Sequence, residues 1–155
     1  MTLTESFVIM SFTLFSIADL RYQLVPGIEL FLFGAIVLAF PSTPTQTGII
    51  LSACVWGLIR NVSGWLALPL LFYPPTWPVL LMGYGYRKGI IGRADLLALC
   101  GLACLFPLPA LLLSLFGLEV WRRLWVRNKT GFVPALPGML LGILFYTALK
   151  IVLWQ

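Results

Sequence analysis

Apolar and polar positions along this chain fall into long blocks rather than into a strict alternation. The first apolar block is Phe7–Ala18, continuous with the N-terminus, and it ends on Asp19. A polar turn, LRYQLVPG (20–27), follows, and Pro26 suits the start of a helix, where a missing N–H costs nothing. The pattern predicts that helix from about Ile28 to Pro41, then an uncharged, turn-rich connection over Pro41–Thr47. Gly48–Gly83 is apolar but is interrupted at Arg60-Asn61 and again by PPTWP (74–78), so no single helix can run through it. The next polar stretch is Gly83–Asp95, and its glycine-rich part, Gly83–Gly89, is expected to form a flexible membrane-edge loop, since its spacing does not fit a dinucleotide loop. The apolar run from Asp95 to Phe106 is predicted to turn tightly at FPLP (Phe106–Pro109) and return over Ala110–Trp121. A basic segment, Trp121–Gly131, leads into a last span from about Phe132 to Trp154.

Composition turns these blocks into membrane spans. The chain is 155 residues long, 61% hydrophobic and only 10% charged, with a mean hydropathy of +1.02. A soluble domain of this size cannot hide that much apolar surface. The expected class is an all-α integral membrane protein, a polytopic bundle of about six transmembrane helices forming one domain over residues 1–155. The N-terminus lacks a positive n-region and a cleavage pattern and is expected to be a retained first span. Ile28–Pro41, Ile90–Phe106 and Ala110–Trp121 are short for spans.

Charge then sets the orientation. Placing Arg21, Arg87, Lys88, Arg93 and the cluster from Arg122 to Lys129 in the cytoplasm puts eight of the ten basic residues on one side. That arrangement needs an odd number of crossings in Gly48–Gly83, hence one span plus an interfacial or re-entrant segment at the prolines. Both termini then lie outside. Two crossings there would instead put Asp19 and Asp95 on opposite faces. Trp65, Trp77, Trp121, Trp125 and Trp154 fall near the expected ends, as interfacial anchors do. Gly138 and Gly142 form a G-x-x-x-G in the last span and predict a close helix contact. The net charge of +5 fits orientation and contact with anionic membrane lipid, because no basic face tracks a phosphate backbone; nucleic acid is not an expected partner.

The chain has no histidine, which removes His-based triads and His metal sites. Cys54, Cys100 and Cys104 form no C-x-x-C pair and read as small apolar packing residues, so no metal and no cofactor is expected. Of the five acids, Glu5 is near the terminus, Glu29 opens a helix, and Glu119 has Arg122 and Arg123 beside it as ion-pair partners. Asp19 and Asp95 differ: each sits at the cytoplasmic edge of an apolar helix, where a charge costs at least ~2.5–3.5 kcal/mol. They are 76 positions apart, yet the expected layout brings them to the same face. Two carboxyls sharing a site divide a proton between them, which supplies a base to activate water and an acid to protonate the scissile group. The alternative is that they are interface charges, Asp19 paired with Arg21 or Arg87 and Asp95 with Arg93.

The order of three motifs resembles the A24 family of membrane aspartic peptidases, which includes prepilin and preflagellin (archaellin) peptidases. In DLRYQLVP, Asp19 is followed by a basic residue two positions on, Arg21, and a proline seven on, Pro26. GRAD (Gly92–Asp95) resembles the family's Gly-x-Gly-Asp loop that opens a helix, and FVPALPGMLLG (132–142) resembles its Pro-rich entry to the last span. The resemblance covers nearly the whole chain. Two positions depart from the pattern: Ala94 stands where the second glycine is usual, and Leu97 where a lysine is usual. The Cys-rich cytoplasmic region of the bifunctional bacterial enzymes is not present in this sequence, so the resemblance is to the compact, peptidase-only type.

The resemblance implies an endopeptidase of the cell membrane, multi-pass, with its active site toward the cytoplasm. Its catalytic residues would be Asp19 and Asp95, and Gly92, Arg93 and Ala94 would form an active-site loop. The partner would be a type IV prepilin-like or archaellin-like precursor, cleaved between a short basic leader and the apolar helix. Neither the substrate's identity nor the oligomeric state is legible. The competing expectation is a non-enzymatic small membrane protein, a proton-coupled transporter or an inactive assembly factor, with Asp19 and Asp95 as buried charges.

Overall fold

The computed structural model describes residues 3–22, 27, 34, 44–128 and 133–153. The expected helix Ile28–Pro41, together with Pro26, Glu29, Lys129 and Trp154, lies outside the described residues. Among the described residues the structure is all-helical, with no strand: α1 (Leu3–Tyr22), α2 (Pro44–Leu58), three 3₁₀ turns (Gly64–Ala67, Pro69–Phe72 and Pro74–Thr76), α3 (Trp77–Arg87), α4 (Arg93–Leu105), α5 (Leu108–Asn128) and α6 (Leu136–Leu153). Prolines mark where four of these helices begin. Pro44 is the first residue of α2, and Pro78, Pro109 and Pro137 are the second residues of α3, α5 and α6. The first-turn N–H has no partner within the helix, so proline costs nothing there. The chain folds as two compact units.

The first unit holds α1, α5 and α6. The buried stripe of α1 is Val8, Phe12, Ser16 and Asp19, at helical spacing, while Met10, Leu14 and Ile17 on the other side are exposed. This stripe lies against an antiparallel α6. At one end Lys150 pairs with Glu5 at 3.0 Å, and at the other the Asp19 carboxylate meets the Leu136 N–H. Fourteen residues separate the two contacts on each helix, about 21 Å, so the register closes on itself. Helix α5 packs tightly on α6 through the expected G-x-x-x-G. A Cβ at Gly138 would strike Leu118 and Trp121, and one at Gly142 would strike the backbone of Leu113 and Ser114. Gly117 is the facing glycine on α5, and the Ser114 hydroxyl donates to the Met139 carbonyl at 3.3 Å. The return helix runs past the expected end at Trp121 to Asn128. Glu119 holds Arg122 and Arg123 from one turn below, each at 2.8 Å, so the basic segment continues as helix.

The second unit holds α2, the 3₁₀ turns, α3 and α4. Helices α2 and α4 are antiparallel: Cys54 touches Cys100, and Gly57 lies against Leu96. Helix α3 runs beside α2 in the same direction, for Gly57 meets Gly83 and the Arg87 guanidinium donates to the carbonyls of Arg60, at 2.9 Å, and Val62. The 3₁₀ turns descend along α2 from Val62 and α3 climbs back. With 11 residues, α3 is about 16 Å long against about 22 Å for the 15 residues of α2. The chain thus leaves and returns to one end of α2 as a hairpin whose tip is the PPTWP stretch. The tip is closed by Thr76, fully buried, whose hydroxyl donates to the Tyr73 carbonyl at 2.6 Å and to that of Leu70.

Two expectations change here. The glycine-rich stretch is not a flexible loop at its start: residues 83–87 are helix, and Gly83 and Gly85 are small because Gly57 and Ile91 press on them. Helix α3 stops instead at Gly89, whose φ of +73° makes a left-handed cap; its N–H bonds to Tyr86 and the Ile90 N–H to Gly85. Trp77 is the first residue of α3, half exposed, with its indole N–H on the Leu71 carbonyl at 2.8 Å. Helix α2 begins at Pro44, inside the stretch expected to be a connection.

Helix α6, with 18 residues and a mean hydropathy of 1.9, is long and apolar enough to cross a membrane. The outward faces of the other helices also carry large apolar side chains, among them Met10, Leu14, Leu81, Leu112 and Phe116, each more than half exposed.

Candidate functional site

Asp19 is buried because it falls on the packed stripe of α1. It is 4% exposed, and its Oδ2 accepts the Leu136 N–H at 3.2 Å, with the Ala135 N–H also directed at it. Leu136 is the first residue of α6, and Ala135 supplies the first helical carbonyl, to the Met139 N–H. Alanine has no side chain that could cap a helix, and the neighbouring Pro134 and Pro137 have no N–H to offer. Asp19 therefore caps α6 from another helix, at the positive end of its dipole. This gives the Pro-rich entry to the last span a physical role that the motif alone did not disclose.

Among the described side chains of this unit, Arg21, Arg122, Arg123 and Lys150 are engaged elsewhere. Trp121 packs on Gly138, so Arg122 and Arg123 lie at the level of the α6 N-terminus, but both bond to Glu119, as the sequence led us to expect. Arg21 lies over the Tyr22 ring at 5.5 Å. The expected pairing of Asp19 with Arg21 or Arg87 is not what forms: Asp19 turns inward to backbone N–H groups, Arg21 is exposed, and Arg87 bonds to carbonyls of its own unit. Near this end the Trp121 indole N–H is buried and has no hydrogen-bond partner among the described residues.

Asp95 sits in the second unit, half-buried, at the third position of α4. Its Oδ2 accepts the Gly92 N–H at 3.1 Å, and the Gly92 carbonyl accepts the Leu96 N–H at 3.4 Å to open the helix. Gly92 is thus the cap of α4, and Arg93 and Ala94 are its first two helical residues; of the expected active-site loop only Gly92 precedes the helix. A Cβ on Gly92 would lie 3.1 Å from the Asp95 oxygen, which explains a glycine at this point of GRAD. Ala94 is helical, so alanine at this position carries no backbone penalty. The end of the unit that carries Asp95 also carries Arg60, Arg87 and Lys88.

Each unit therefore presents one aspartate at its basic end, bonded to backbone N–H at the start of a helix. The signals that sequence reasoning passed over are the Ala135–Leu136 backbone and Gly117. Among the described residues no group of three or more His, Cys, Asp or Glu is arranged to hold a metal ion. The three cysteines are buried between α2 and α4, Cys100 touching both Cys54 and Cys104. No family model, curated protein or solved structure matches the chain.

Proposed function

We propose that this chain is a multi-pass membrane aspartic endopeptidase that removes the short basic leader from prepilin-like or archaellin-like precursors at the cytoplasmic face. The observation that carries the reading is the placement of Asp19, a carboxyl almost wholly removed from water and held by the N-terminus of α6 instead of by an arginine. The membrane component is supported by α6 and by the exposed apolar faces of the remaining helices, which would be poorly solvated in water.

In this reading the ionised carboxyl of the Asp19–Asp95 pair takes a proton from water, and the resulting hydroxide attacks the scissile carbonyl carbon. The protonated carboxyl gives its proton to the carbonyl oxygen. As the tetrahedral intermediate collapses, the proton taken from water passes to the leaving amine, and the hydroxyl formed from the carbonyl returns its proton to the carboxylate that supplied it. The proposal requires both carboxyls to reach one water. It places the basic ends of both units in the cytoplasm, where a basic leader would arrive from the substrate side.

A second reading has an observation of its own. Asp19 and Asp95 both cap helices, and capping alone would suffice to keep them in an assembly factor or transporter. Asparagine separates the two, because it retains an oxygen acceptor for the cap and cannot exchange a proton. With purified protein and a prepilin-like precursor, Asp19→Asn and Asp95→Asn should each fold normally and each lose about 10²-fold or more of cleavage rate. Undiminished processing by either variant rules the peptidase out, and proton flux in liposomes that depends on the same residues favours a transporter.

A further inference from the structure

The second unit carries an open apolar groove of about 490 Å³ between the outer face of α2 and the 3₁₀ turns. Leu51, Val55 and Ile59 form one wall, and Leu66, Pro69 and Leu70 the other. The polar exception is Ser52, whose hydroxyl is turned back to the Gly48 carbonyl at 2.8 Å. A ligand therefore meets mostly apolar surface along about 12 Å of helix, the rise from Leu51 to Ile59. One end of the groove is strongly positive. The Arg87 guanidinium lies 4.7 Å over the ring of Trp56 and donates to the Val62 carbonyl, and both of these residues line the groove. Arg60 follows Ile59 and lies 5.4 Å over the Tyr86 ring, and Lys88 follows Arg87. None of these three cations takes part in the ion pairs of Glu119 and Glu5 with Arg122, Arg123 and Lys150.

We infer that this groove seats an acyl chain of an anionic phospholipid, with the lipid phosphate at Arg60 and Arg87. The inference rests on the membrane component of the proposed function. Apolar walls with a cationic end match an amphiphile whose charged group lies at one end of its chain. Both bonds from Arg87 to carbonyls come from Nη2, so Nε and Nη1 carry the donors that a phosphate would use. The basic end of the hairpin is also the end that the proposed orientation puts in the cytoplasmic leaflet, where anionic head groups concentrate.

The test is native mass spectrometry of the full chain in mild detergent, titrated with dioleoyl phosphatidylglycerol or dioleoyl phosphatidylcholine. Wild type should retain the anionic lipid in preference to the zwitterionic one. Arg60→Gln should reduce that preference by about fivefold. Val55→Trp, at a half-exposed position, should fill the groove and lower retention of both lipids, with helicity and melting temperature unchanged. Equal retention of the two lipids by wild type, an unchanged preference in Arg60→Gln, or full retention by Val55→Trp overturns the inference. Alkaline carbonate extraction separates the two failures. Release of the protein from membranes overturns the membrane reading itself, whereas a membrane-retained protein without lipid preference overturns the lipid seat alone.

Discussion

Replacing Gly142 by alanine tests the packing that fixes the N-terminus of α6. The added methyl group would meet the Leu113 carbonyl and the Ser114 Cα, which are backbone atoms of α5 and cannot rotate away. The helices must separate, and the Ser114–Met139 bond, already 3.3 Å long, is the first polar contact to go. Overpacking of this kind costs about 1–3 kcal/mol, and the lost bond about 1 kcal/mol more. Alanine returns at most about 1 kcal/mol of helix propensity, so the variant should be less stable by about 1–3 kcal/mol. Gly48→Ala is the internal control. It is also helical, but exposed, and a Cβ there would meet nothing within 4 Å. There the propensity term acts alone, and the change should stabilise by about 0.5–1 kcal/mol. Thermal unfolding of both variants in the same detergent, followed by circular dichroism, gives the comparison. Opposite signs are expected; a Gly142→Ala protein as stable as wild type would mean that α5 and α6 are not in backbone contact.

Asp19→Ala should destabilise by about 1–3 kcal/mol, because it leaves the buried Leu136 N–H without an acceptor, whereas Asp19→Asn should cost clearly less; equal losses in the same unfolding assay would show that Asp19 does not cap α6. Gly89→Ala should lose about 1–2 kcal/mol, since its left-handed backbone penalises a side chain; an unchanged melting temperature would remove the helix stop assigned to it. Single cysteines at Thr45, Asn61 and Lys88, in a background without the native three, should show Asn61 and Lys88 labelled from one side of the membrane and Thr45 from the other. Labelling of Asn61 and Lys88 from opposite sides would mean that the 3₁₀ segment crosses fully instead of folding back as a hairpin.

Part of this molecule is legible in its sequence. Block hydropathy locates α1, α4, α5 and α6, the prolines of PPTWP forbid a continuous helix, Glu119 predicts its own ion pairs, and the G-x-x-x-G of the last span predicts a close contact. These features are local: they depend on chain chemistry or on neighbours within one turn. The partner of the G-x-x-x-G on α5 and the partner of Asp19 were not legible, because both are set by contacts between distant segments. Nor did periodicity reveal which face of α1 is buried. Its outward residues Met10, Leu14 and Ile17 are as apolar as its inward Val8 and Phe12, so the sequence alone does not show that Asp19 points inward. The sequence by itself determined an apolar, helical chain with a carboxylate at each of two helix ends. Only the tertiary structure decided that one of them bonds across 117 positions to the first N–H of α6, because Ala135 leaves that helix without a cap of its own.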